Sequence, residues 1–155
     1  MLMFKNSCRR PGGLELTQAL LKCVCLAENA RILDVGCGEG ATVRLLRETY
    51  RYDAVGIDLT AEANRPYLVR GDAAHLPWMP ESFDAVMLEC SLSRMEEPDT
   101  VLREIRRVLR PAGAILLSDL YTRARWAGWS GWRSSCAGWL RPVSVPAVLH
   151  SMTRR

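Results

Sequence analysis

The chain has 155 residues, 48% of them hydrophobic and 25% charged, with a formal net charge of +4. That length suits one domain with a core of its own and leaves no room for two. No apolar run approaches the ~18–20 residues needed to span a bilayer, and the opening MLMFKNSCRR has no signal-peptide core. A cytoplasmic chain is the expectation, with six free thiols rather than a disulfide framework. None of the cysteines has paired zinc spacing, so no metal is expected.

Taken in chain order, residues 14–28 read as an amphipathic helix, with Leu16, Leu20, Leu21, Val24 and Ala27 at helical spacing. Arg10-Pro11-Gly12-Gly13 ahead of it reads either as a hinged lid or as the turn that leads into the helix. Residues 31–35 are a short apolar run ended by glycines, which suits a buried strand. Residues 39–50 are helical by period, 53–58 form a second strand, 66–70 a third and 83–90 a fourth. Pro98 sits where a first-turn proline belongs and opens a helix to Leu109. Arg110-Pro111-Ala112-Gly113 breaks it, and residues 114–119 form a fifth strand. Alternating strands and helices predict βαβ units on a parallel sheet.

The texture changes after residue 120. Residues 121–155 carry six arginines and no acid, with Trp126, Trp129, Trp132 and Trp139 among interspersed glycines. We read this part as an irregular, basic, solvated tail rather than a nucleic-acid-binding element. Residues 142–146 offer one short strand at most, flanked by prolines.

The chemistry is carried by Asp34-Val35-Gly36-Cys37-Gly38-Glu39-Gly40, which follows a strand and opens a helix. That is the context of a nucleotide-type site. Its spacing is G-x-G-x-G, whereas a dinucleotide fingerprint places its third glycine one residue later. Glu39 at the helix start suits the helix dipole but repels phosphate. Both features favour a ligand without phosphate. Asp58 ends the second strand, 18 residues after Gly40; one carboxylate there can accept from two sugar hydroxyls. Gly71-Asp72-Ala73 follows the third strand, and a carboxylate there can accept from a base amino group. Strand-end acids of this kind face the crevice where open α/β sheets bind ligands.

With LDVGCGEG, VGIDLT, RGDAAHLPWMPESFDAVML and VLREIRRVLRPAGAILLSDLY, the chain resembles class I S-adenosylmethionine (SAM) dependent methyltransferases of the type 11 family, which includes quinone-biosynthesis C-methyltransferases. The resemblance covers residues of about 30 to 120. It implies an α/β, Rossmann-like three-layer sandwich with a mostly parallel sheet of order 3-2-1-4-5. Residues 1–120 would form the SAM-binding domain, and the final antiparallel strand pair of the family would be missing through a truncated or altered C-terminus. SAM is a ligand of the required kind: adenine, ribose and a zwitterionic methionine. The resemblance further implies that Asp34, Gly36, Cys37, Gly38 and Gly40 lie beside the methionine moiety. Asp58 would take the ribose, Leu59 would flank the adenine, and Asp72 and Ala73 would meet its edge. Glu89 and Cys90 would border the methyl group and the acceptor, with Glu89 the candidate catalytic carboxylate. Ser93-Arg94 stands where many relatives carry a His-His pair. His75 reads as a surface residue. The leading expectation is methyl transfer to a small molecule. A non-catalytic SAM-binding module and a nicotinamide-dependent oxidoreductase or epimerase are the alternatives. A bare edge on strand five would allow a homodimer.

Overall fold

The computed structural model describes residues 10–62 and 64–119; the tail, its tryptophans and the expected end of the fold lie outside the described residues. The elements are α1 (Gly13–Leu21), β1 (Arg31–Val35), α2 (Ala41–Glu48), β2 (Asp53–Asp58), β3 (Leu68–Arg70), β4 (Phe83–Glu89), a 3-10 turn (Leu92–Arg94), α3 (Pro98–Val108) and β5 (Leu109–Ser118). The five strands form one sheet of order β3-β2-β1-β4-β5, and every pairing is parallel. The expected α/β order therefore stands. The order in which strands are added reverses between β1 and β4, which run parallel, so a crevice opens beyond Val35 and Glu89, where neighbouring connections leave on opposite faces.

Strand pleating sorts the core onto two faces. Leu33, Val35, Val86 and Leu88 pack with Ile105 and Val108 of α3. Ile32, Ala54, Ala85 and Met87 pack with Leu20 of α1 and Leu46 of α2. Phe83 is fully buried, and Trp78 meets its ring edge-on at 5.3 Å. The loop after β3 is tied down by Arg107, which donates to the carbonyls of Trp78 (2.7 Å) and Leu76 (2.9 Å) and pairs with Glu104. Those bonds hold the Asp72 segment at the crevice.

Three elements differ from the periodic reading. The first helix stops at Leu21, and tight turns close over it as the Cys23 amide donates to Leu20 and the Val24 amide to Leu21. Val24 and Leu26 still pack on the core, but from a loop; apolar spacing alone cannot tell the two apart. The third strand starts only at Leu68, because Pro66 lacks an amide donor and Tyr67 has φ 67°. The fifth strand begins at Leu109, not at residue 114. Phe83 pairs with Leu109 and Ala85 with Ala114, so the Arg110–Gly113 stretch bulges out between two paired residues, with Ala112 at φ 64°. The break seen in the sequence is thus a β-bulge inside the strand.

Candidate functional site

A cleft of about 1000 Å³ opens at the carboxyl ends of β1, β2 and β4. Of the residues singled out in the sequence, Gly36, Cys37, Gly38, Asp58, Leu59, Asp72, Ala73, Glu89 and Cys90 line it. Asp34 and Gly40 stand behind the wall. Gly40 caps α2, and a Cβ there would meet the Leu68 side chain at 2.8 Å. Cys37 presents its side chain to the sheet, against the place where Gly56 has no Cβ. Burial first, then the charges of Asp34 and Asp58, push its thiol far up, so it is an inert packing group.

The glycine loop is stitched to the next strand. The Gly36 and Cys37 amides donate to the Ile57 carbonyl at 2.8 and 3.2 Å. The Gly38 amide donates to Asp58 Oδ2 at 2.9 Å, while the Thr60 amide and hydroxyl donate to Oδ1 at 2.8 and 2.7 Å. Burial alone would raise the Asp58 carboxyl; the Thr60 and Gly38 hydrogen bonds and the Arg94 charge outweigh it and hold the group below the usual range. Asp58 is therefore ionised and fixed in place. Leu59 beside it is 65% exposed, an apolar surface with room for a flat ring. Asp72 accepts from the Ala74 amide at 2.9 Å and faces His75 Nδ1 at 3.4 Å.

Glu89 ends β4 with its side chain 2% exposed. Thr17 Oγ1 donates to it at 3.0 and 3.2 Å and Thr42 Oγ1 at 3.0 Å. Arg10 pairs with it at 2.7 Å. Burial raises the Glu89 carboxyl, an effect partly offset by the Arg10 charge and the threonine hydroxyls. Arg10, Thr17 and Thr42 were not singled out as site residues in the sequence. They come from three segments 47 to 79 residues away from Glu89 in the chain, and no local pattern links them.

Asp34 lies 3% exposed behind the loop. Burial, then repulsion from Glu89, push its carboxyl up to about 8, against the relief given by Arg10. An unfolded aspartate ionises near ~3.9. Between those values the folded chain keeps a proton that the unfolded chain has lost, so stability falls as pH rises from about 4 to about 8 and levels off above. Asp34→Asn removes this dependence. Denaturant midpoints at pH 5 and pH 8 should show the wild type losing on the order of 4 kcal/mol relative to the variant. Parallel behaviour of the two proteins would contradict the assignment.

Among the described residues, seven Asp or Glu side chains and three Arg side chains line the cleft. Such a field favours a ligand of net positive charge and opposes a pyrophosphate. Residues 33–117 match the model of a family described as a methyltransferase domain. The chain belongs to this family. The domain is 30% identical over 125 residues to methyltransferase GfsG of Streptomyces halstedii, covering 72% of this chain and 45% of that protein. It is 33% identical over 107 residues to a demethylmenaquinone methyltransferase of Lactiplantibacillus plantarum, covering 59% and 45%. The chain thus spans less than half the length of these curated relatives. Among solved structures, the methyltransferase domain resembles Haemonchus contortus phosphoethanolamine N-methyltransferase 2, in complex with phosphomonomethylethanolamine and S-adenosylhomocysteine. The TM-score is 0.57 at 26% identity, over 67% of this chain and 28% of that one. Methyltransferase domains of this family depend on SAM. The cleft fits that cofactor: its ionised, immobile Asp58, open Leu59 surface and excess of acids suit a sugar, a base and a sulfonium.

Proposed function

We propose that the chain binds SAM in this cleft and catalyses methyl transfer to a small-molecule acceptor. The observation that carries the reading is the Gly38–Asp58 link, which fixes a carboxylate at the end of β2 beside the glycine loop. Asp58 holds the ribose, Leu59 covers one face of the adenine, and Asp72 and Ala73 meet its edge. When bound, SAM supplies a sulfonium-activated methyl group that a nucleophile can displace in line. The protein then contributes proximity, orientation and exclusion of water. Cys90, at φ 55° after β4, borders the methyl group and the acceptor. Glu89, already engaged by Arg10 and two threonines, acts here as a binding group more than as a mobile base. The acidic cleft repels polyanions, which supports a small acceptor over nucleic acid.

No helix among the described residues is long and apolar enough to cross a membrane. Cys23, Cys25 and Cys37 are free thiols, in keeping with a cytoplasmic setting. Two copies joined along β5, the outer strand of the sheet among the described residues, remain part of the proposal. The activity is tested by incubating the full chain with methyl-tritiated SAM and a panel of quinol, fatty-acid, amine and thiol acceptors. Label transferred to at least one acceptor is expected. Binding of SAM with no transfer to any class would instead favour a non-catalytic cofactor-binding module.

A further inference from the structure

Of the three arginines that line the cleft, two are already paired with carboxylates: Arg10 with Glu89 at 2.7 Å and Arg65 with Glu62 at 3.0 Å. Arg94 differs. It is exposed, and among the described residues its side chain makes no hydrogen bond or ion pair. Its charge nonetheless reaches Asp58 and helps to hold that carboxyl ionised. The guanidinium therefore stands over the cleft. The backbone that carries it is fixed. Ser91 Oγ donates to the Val35 carbonyl at 2.8 Å, and the Arg94 amide donates to the Ser91 carbonyl at 3.1 Å. The Ser93 amide and hydroxyl donate to the Asp119 carboxylate at 2.8 and 2.7 Å. The turn Leu92–Arg94 is thus tied to β1 and to the end of β5, while its arginine head keeps all five donors for something else.

The neighbouring side chains narrow what that is. Met95 and Val101 line the cleft beside the turn and pack into the core under α3. A planar guanidinium next to an apolar wall is complementary to a carboxylate carried on an apolar body. The place is on the acceptor side. In the reading above the nucleoside lies at the ends of β2 and β3, with Asp58, Leu59 and Asp72, whereas the turn follows β4. The other acids of the cleft do not forbid an anion here. Charges spread over an open cleft act through salt and water and are screened, while a guanidinium fork holds a carboxylate at contact.

We propose that Arg94 receives a carboxylate of the methyl acceptor, which is then an organic acid whose apolar body lies against Met95 and Val101. The proposal rests on the SAM reading above and names the acceptor class for the same cleft. It also gives a use to the Ser93-Arg94 pair, in which Ser93 anchors the turn and Arg94 meets the ligand.

Calorimetric titration of the full chain, saturated with S-adenosylhomocysteine, tests it with three probes of matched shape: octanoate, octanamide and octylammonium. Octanoate should bind at least about 10-fold more tightly than octanamide, the effect of gaining a charged hydrogen bond, and octylammonium no more tightly than octanamide. Arg94→Gln should weaken octanoate about 10-fold or more and leave octanamide and S-adenosylhomocysteine within about two-fold. Arg94→Lys, which keeps the charge but not the fork, should fall between. Octanoate bound no better than octanamide, octylammonium bound more tightly than octanoate, or no binding of any probe would overturn the proposal. So would an Arg94→Gln variant that holds octanoate as the wild type does. Equal loss of octanoate and S-adenosylhomocysteine in that variant would place Arg94 in the cofactor site instead and also overturn it. Should the variants fail to fold, the order of the three probes on the wild type decides. All these failures leave the SAM reading standing as long as the wild type binds S-adenosylhomocysteine. Failure to bind S-adenosylhomocysteine defeats that reading and the proposal with it.

Discussion

Asp58→Ala is expected to weaken S-adenosylhomocysteine binding by about 100-fold or more, while the chain stays folded. Asp58 accepts three hydrogen bonds, from Gly38 and from the amide and hydroxyl of Thr60. It is held ionised in a cleft rich in carboxylates. Charged hydrogen bonds to two ribose hydroxyls are worth about 1.5–3 kcal/mol each, and the alanine variant loses both. It also releases the Gly38 amide, so the glycine loop is no longer tied to β2. Asp58→Asn keeps the shape and an acceptor oxygen but not the charge, and its loss should be nearer 10-fold. Isothermal titration of the three proteins checks the order. An alanine variant with wild-type affinity would remove Asp58 from the site.

Gly36→Ala should cost about 2–5 kcal/mol of folding stability. Gly36 has φ 78°, a conformation an L side chain rarely adopts. A Cβ there would lie 2.5 Å from Ser91 Cβ. Ser91 cannot easily retreat: it is buried, and its hydroxyl donates to the Val35 carbonyl at 2.8 Å. The close approach of β1 and β4 at the switch point thus depends on this glycine. Gly38→Ala is the control. Its φ is 53°, but nothing lies within 4 Å of the added carbon, so only the backbone strain of about 1–2 kcal/mol remains. Denaturant unfolding of both variants should separate them. Equal losses would show that the Ser91 contact carries no weight.

Nine of the eleven residues singled out in the sequence line the cleft; the sheet order and the places of Leu59, Ala73, Glu89 and Cys90 came with the family resemblance, whereas the alternation of strands and helices, the glycine loop, Asp58 and Asp72 were legible because each announces itself locally. Glycines between a strand and a helix, and acids at strand ends, mark where a backbone must turn and a ligand can approach. The helix after Leu21 and the onset of β5 were not legible, since apolar periodicity does not reveal whether Val24 packs from a helix or a loop, or that Arg110–Gly113 bulges within a strand. Asp34 and Gly40 belong to the motif yet stand behind the cleft wall: one is a buried acid, the other a helix cap packed on Leu68. The Arg10–Thr17–Thr42–Glu89 cluster was hidden for a different reason. Its members are ordinary residues in their own segments, and only the fold brings them within hydrogen-bonding distance.

The central claim is that this cleft takes a sulfonium nucleoside and not a dinucleotide. Thermal unfolding of the full chain with SAM, S-adenosylhomocysteine and NADH tests it most directly. At about 100 times its Kd, SAM or S-adenosylhomocysteine should stabilise the fold by about 2.7 kcal/mol, and NADH should leave it unchanged. Stabilisation by NADH with none from either adenosyl compound would contradict the claim.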